Sequence, residues 1–135
     1  MDSPGVDDSA TYDLAQRDAY VLVTLRGRPQ VGIVRSMFHD LEQLMTEDAE
    51  LLVLIDESEM LARLLQPSEL RKMIDVLKNS EGLRRRSRIA IYAPSPVVYG
   101  MNRMAQAFAG EASEGRLEVF RTADDAETWL LTHVR

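Results

Sequence analysis

The residues in this chain best placed to do chemistry lie where an apolar run gives way to a helix. Ala93-Pro94-Ser95-Pro96 breaks the run and leads into Val97-Val98-Tyr99-Gly100-Met101-Asn102-Arg103. The C-terminal end of a parallel strand, followed by a helix N-terminus, is where α/β sheets usually bind ligands. The first helical turn offers N–H groups with no partner inside the helix, and Ser95 is placed to cap it. Tyr99 and Arg103 are four residues apart and share a helix face. Gly100 beside them allows close approach. Ser95, Tyr99, Gly100 and Arg103 thus make a candidate site for an anionic head group. The same residues also have a purely structural reading: Tyr99 in the core with its hydroxyl at the edge, Gly100 at a helix contact, and Arg103 paired with a carboxylate.

Other groups carry less. Asp56-Glu57-Ser58-Glu59 sets one hydroxyl among three carboxylates after the run Leu51-Leu-Val-Leu-Ile55, and Asp56 and Ser58 can cap a turn there. Met37, Met45, Met60, Met73, Met101 and Met104 either fill a core or, if several line one cavity, accept an acyl chain. A cavity of about 300 Å³ or more would favour such a ligand, and a close-packed interior would favour a partner protein. Arg84-Arg85-Arg86-Ser87-Arg88 is the one basic run, read as a solvated patch in a connecting loop. His39 and His133 stand far apart, outside any metal-ligand pattern. There is no cysteine, which excludes disulfides and thiolate chemistry. Neither a Gly-rich phosphate loop nor a glycine-flanked nucleophile turn is present. The expectation is a protein that is not an enzyme and uses no cofactor and no metal.

Composition narrows the classes further. The chain has 135 residues, 45% of them hydrophobic and 28% charged, as in an ordinary single globular domain. Its 22 acids outnumber its 16 bases for a net charge of −6, which argues against nucleic acid as a partner. No apolar run reaches the ~20 residues of a membrane span. A cytoplasmic protein is expected.

The elements that must position these residues follow from periodicity. Residues 1–10 read as a flexible acidic N-terminus and residues 11–135 as one domain. Tyr12–Leu14 and Ala19–Leu25 are β-rich and close in sequence, so they predict an antiparallel hairpin. Val34, Met37, Phe38, Leu41, Leu44 and Met45 trace one face of a helix. Leu51–Ile55 is a strand covered on both faces. A helix starts at Pro67 and is closed by Gly82. Strands at 88–93 and 117–120 alternate with helices at 97–109 and 123–133, the last with Thr122 and Asp125 as its cap. The order β-β-α-β-α-β-α-β-α predicts an α/β fold. Its mostly parallel sheet of about five strands has an antiparallel edge hairpin and is flanked by four helices. A short edge strand leaves room for a homodimer.

That order resembles the STAS fold of anti-sigma-factor antagonists. It resembles more closely the bacterial SpoIIAA-like family, which is related to both STAS domains and the Sec14-type (CRAL-TRIO) lipid-binding fold. Tyr99-Gly100, Arg103-Met104, Val119-Phe120-Arg121 and Ala126 with Trp129-Leu130 carry the likeness. The resemblance implies a STAS-like binding or regulatory module for a partner protein or a small, partly apolar or anionic ligand. Anti-sigma-factor antagonists carry a phosphorylated serine two residues after an aspartate and before a glycine. Ser58 matches that spacing from Asp56, but Glu59 stands where glycine would be. A phosphate adds about −1.5 to −2 charges, so Glu57 and Glu59 would oppose it. A phosphorylatable switch at Ser58 is the second reading, and an enzyme on a compact α/β scaffold the third.

Overall fold

The computed structural model describes residues 10–109 and 116–132. Residues 1–9 of the N-terminal stretch and His133 lie outside them. Thr11–Gln16 (β1) and Val21–Gly27 (β2) form the hairpin, with Tyr12 opposite Leu25 and Gln16 opposite Val21. Next come Val31–Gln43 (α1), Leu51–Met60 (β3), a 3₁₀ turn at Ala62–Leu64, Pro67–Asn79 (α2) and Glu81–Arg86 (α3). Ser87–Tyr92 (β4), Pro96–Ala109 (α4), Leu117–Phe120 (β5) and Ala123–Thr132 (α5) complete the order.

The strands lie in sequence order across one sheet, and every pair from β2 to β5 is parallel. Each crossover therefore steps the same way. Right-handed connections then place every crossover helix on one face. The core bears this out: Val23, Val53, Ile55 and Ile89 meet Phe38 and Leu41 of α1, Leu77 of α2, Leu83 of α3 and Val98 of α4. Among the described residues α5, which connects none of these strands, covers the other face. There Ala126 and Leu130 pack on Leu54 and Ala90. The unbroken apolar run in β3 follows from this arrangement: Val53 and Ile55 face the crossover helices while Leu54 faces α5.

Three local features differ from the sequence reading. A fifth helix, α3, occupies the segment read as a basic loop, and Gly82 lies inside it instead of closing α2. Apolar periodicity over six residues is too short a signal to reveal such a helix. Leu83, fully buried, is what anchors it. The arginines are also dispersed. Arg84 donates to the C=O groups of Leu77 and Lys78, at 3.0 and 2.8 Å, and so closes the C-terminus of α2. Arg85 pairs with Glu81 at 2.9 Å, and Arg88 with Glu50 at 3.3 Å.

The third difference is the length of β3, which runs through Asp56–Met60 instead of ending in a loop. Thr24 of β2 is paired with Asp56, but Arg26 with Glu59, so two steps on β2 match three on β3. One extra residue is thus accommodated in β3, a bulge in a parallel pair. At the end of β2, Gly27 takes φ 84°, a conformation that favours glycine, and its C=O accepts from Leu61 N–H at 2.9 Å.

Leu130 is fully buried and anchors α5. Leu130→Ala is expected to cost about 3 kcal/mol, read as a shift in the urea midpoint at unchanged slope. A loss of under about 1 kcal/mol would mean that α5 does not close the second face.

Candidate functional site

Side chains alternate along a strand, so Val53, Ile55 and Glu57 point to the same side, into the crossover-helix layer. Glu57 is only 7% exposed there. Its partner comes from α4, whose inward positions Val98, Met101, Asn102 and Ala105 follow helical spacing. Asn102 Nδ2 donates to Glu57 Oε1 at 2.6 Å and to the Val98 C=O at 3.0 Å. Burial disfavours the charged carboxylate and raises the Glu57 pKa from 4.5 to about 7. The Asn102 hydrogen bond lowers it, and the neighbouring Asp56 charge raises it. Among the described residues no ion pair reaches Glu57.

Glu57 and Asn102 border a cavity of about 90 Å³ between β3, α1, α2 and α4. Met37, Met60, Met73 and Met101 line it, so four of the methionines do share one space. The bulge puts Met60 there: with one residue added after Glu57, Met60 returns to the inner face while Glu59 turns outward to Arg26 at 3.4 Å. The volume is well below the ~300 Å³ at which ligand pockets begin. Two larger clefts, of about 330 and 340 Å³, are shallow surface grooves along α2 lined by charged residues such as Lys72, Asp75 and Lys78.

Ser58 is exposed on the bulge. Its N–H donates to Asp56 Oδ1 at 2.9 Å, which is the local cap read from the sequence. Because β3 and β4 are parallel and Asp56 lies opposite Tyr92, Ser58 and the start of α4 sit together at the edge where the parallel strands end. At that edge Ser95 Oγ accepts from Val98 N–H at 3.5 Å. Tyr99 is half-buried and packs on the core beneath the Arg121 guanidinium, 5.5 Å from the ring centre. Arg121 in turn donates to the Pro94 C=O at 3.0 and 3.2 Å. Gly100 faces open space, and Arg103 is exposed with Gln106 as its partner at 3.3 Å. Val97 and Met104 are 64% and 50% exposed, and with Gly100 they form a bare ridge along α4. Tyr99, Gly100 and Arg103 are therefore neighbours on α4, with Ser95 just before its start, but Tyr99 turns inward while Gly100 and Arg103 turn out.

His39 is exposed on α1. Among the described residues no cluster of three or more His, Cys, Asp or Glu side chains could hold a metal ion, and no helix is long and apolar enough to cross a membrane. Glu57 and Asn102 were not singled out from the sequence. The available signal was the parity of β3, which carries Glu57 onto the face of Val53 and Ile55, together with an asparagine at an apolar position of α4.

No family model matches the sequence, and no curated protein matches it. Solved structures do. An uncharacterised protein of the DUF3478 family from Shewanella loihica PV-4, described as having a SpoIIAA-like fold, superposes with a TM-score of 0.62 at 19% identity. The match covers 96% of this chain and 98% of that one. An anti-sigma factor antagonist from Mycobacterium paratuberculosis superposes with a TM-score of 0.54 at 16% identity, over 97% and 99% of the two chains. The chain thus has the SpoIIAA-like, STAS-type fold.

A carboxyl with a raised folded-state pKa is protonated in both states below about pH 4.5, so it has no effect on stability there. As pH rises to about 7, the unfolded chain loses a proton that the folded chain keeps. Stability falls across that window and levels off above it. Glu57→Gln keeps the acceptor for Asn102 and removes the titration. Between pH 4 and pH 8 the wild type should lose about 3 kcal/mol relative to this variant in urea unfolding. Parallel pH profiles would contradict the burial of Glu57.

Proposed function

We propose that the protein is a non-enzymatic STAS-like regulatory module that docks a partner protein at the edge where the parallel strands end, beside the C-terminus of β3 and the start of α4. The observation that carries this reading is the exposed ridge Val97, Gly100 and Met104, flanked by Arg103. Large apolar side chains left in water on one helix face mark interaction surfaces, and Gly100 lets a partner backbone come close. Arg103 would meet a carboxylate on that partner. Tyr99 and Ser95 hold the ridge in place from beneath and from its N-terminus. The interior cavity of about 90 Å³ supports a protein partner over an acyl chain. The anti-sigma factor antagonist of the same fold supports a regulatory role.

A photo-crosslinking residue at Gly100 is expected to capture one defined partner in cells, while the same residue at Glu42 on α1 captures none. Met104→Asp should weaken binding of that partner at least about tenfold with no change in melting temperature. Equal capture at both positions would refute the docking face. Native mass spectrometry would show whether the occupant is a second copy of this chain.

Exposure of Ser58 on the bulge, its N–H held by Asp56, favours one further reading, a phosphorylatable switch at the same edge. Mass spectrometry of protein from its native host should then find phosphate at Ser58, and Ser58→Asp should change partner affinity. An unmodified Ser58 and an inert Ser58→Asp would exclude it.

A further inference from the structure

Inside the helix layer, a buried carboxyl and a buried amide converge on a mostly apolar cavity, and partner docking on the outer ridge makes no use of them. The cavity is about 90 Å³, against the ~150 Å³ apolar cavity that holds benzene, so it has room for roughly four non-hydrogen atoms. Its wall is mostly hydrocarbon and thioether, from Met37, Met60, Met73, Met101 and Ala105, with Glu57, Asn102 and Gln106 as polar groups; the Gln106 amide is engaged with the Leu117 C=O and the Arg103 guanidinium. Thioethers adapt to the shape of what they meet. Asn102 Nδ2 is committed to Glu57 Oε1 and to the Val98 C=O. The carboxylate faces no cation among the described residues, and Asp56 adds negative charge beside it.

We propose that this cavity is a socket for a primary alkylammonium group, which sets its –NH3⁺ on Glu57 and its short methylene chain among the methionines. The ammonium donates hydrogen bonds that the carboxylate can accept, and a charge-assisted bond in a dry site is stronger than a neutral one. An alcohol of the same shape offers one weaker donor, and a carboxylic acid anion is repelled. A free amine and the outer four atoms of a lysine side chain, Cγ to Nζ, present the same chemistry. The socket lies behind α2 and α4, and Leu70 and Ile74 line both it and the surface groove that reaches Met104. A ligand would enter by moving these side chains. This inference does not depend on the docking ridge.

The test uses the full chain at pH 8 with n-propylamine, 1-propanol and propionate as shape-related probes. The readouts are the thermal midpoint and the NMR shifts of the methionine methyl groups. Propylamine should raise the midpoint, shift the methyls of Met60 and Met101, and bind about tenfold more tightly than propanol. Propionate should do neither. Glu57→Gln should lose the amine, whose charge then has no partner, while still admitting the alcohol, and Ala105→Met, which fills the cavity, should lose both. Nα-acetyl-lysine methylamide in place of propylamine separates the two sources: binding extends the socket to lysine side chains, and its absence confines it to free amines. Equal affinity for amine and alcohol in the wild type, or unmoved Met60 and Met101 methyls, would overturn the proposal. So would amine selectivity that persists in Glu57→Gln. Loss of the docking ridge by Val97→Asp, at a residue that lines neither the socket nor the groove, leaves the expected propylamine response intact, so failure of one idea is distinguishable from failure of the other.

Discussion

A carboxyl taken out of water must be hydrogen-bonded, neutralised or both. In this protein that constraint falls on Glu57 and joins the two halves of the helix-covered sheet edge. Among the described residues its hydrogen-bond partner is Asn102 on α4, so the contact at 2.6 Å ties β3 to the helix that follows β4. Burial raises the acid toward neutrality, so the proton it holds is shared between the demands of the fold and the pH of the medium. The bulge in β3, the position of Met60 and the inward turn of α4 all surround this one group. A bulge in a parallel ladder disrupts pairing locally, and here it separates two acids by function: Glu57 goes inside, Glu59 goes out to Arg26.

The same edge of the sheet carries the exposed features. Parallel strands end together, so Ser58 on β3 and the capped start of α4 after β4 are brought side by side by topology rather than by any local motif. Helix positions alternate between the two duties every three or four residues. Val98, Met101 and Asn102 face in; Val97, Gly100 and Met104 face out. A change at Val97 therefore tests surface recognition, and a change at Asn102 tests the interior. The interhelix bond from Val31 N–H to Glu69 Oε1 at 3.0 Å plays a comparable part elsewhere, capping α1 from α2 and holding the Glu69 carboxyl below its usual range.

Much of this architecture was legible in the residues. The apolar run Leu51–Ile55 reads as a strand covered on both faces, and the alternation of strands and amphipathic helices predicts a largely parallel sheet with one antiparallel edge. Thr122 capping the Asp125 N–H at 3.1 Å and Ser95 at the start of α4 were readable as hydroxyls before helices. The short helix α3 was not, because six residues with three arginines give no periodicity, and its reason to exist is the burial of Leu83 and the capping of α2 by Arg84. Glu57 was missed for a related reason. Four successive polar or charged residues after an apolar run look like a loop, and only pairing with β2, which extends the strand to Met60, puts Glu57 on the inner face. Asn102 is ambiguous in sequence because one polar residue on an apolar helix face declares a buried partner only once that partner is known.

The most direct measurement is the titration of the Glu57 side chain itself, followed by carboxyl-carbon NMR in the intact protein with Asn102→Ala for comparison. A buried Glu57 should show a midpoint near 7 in the wild type, rising further when the Asn102 hydrogen bond is removed. A midpoint near the ordinary 4.5, unchanged in the variant, would place the carboxyl in water and contradict it.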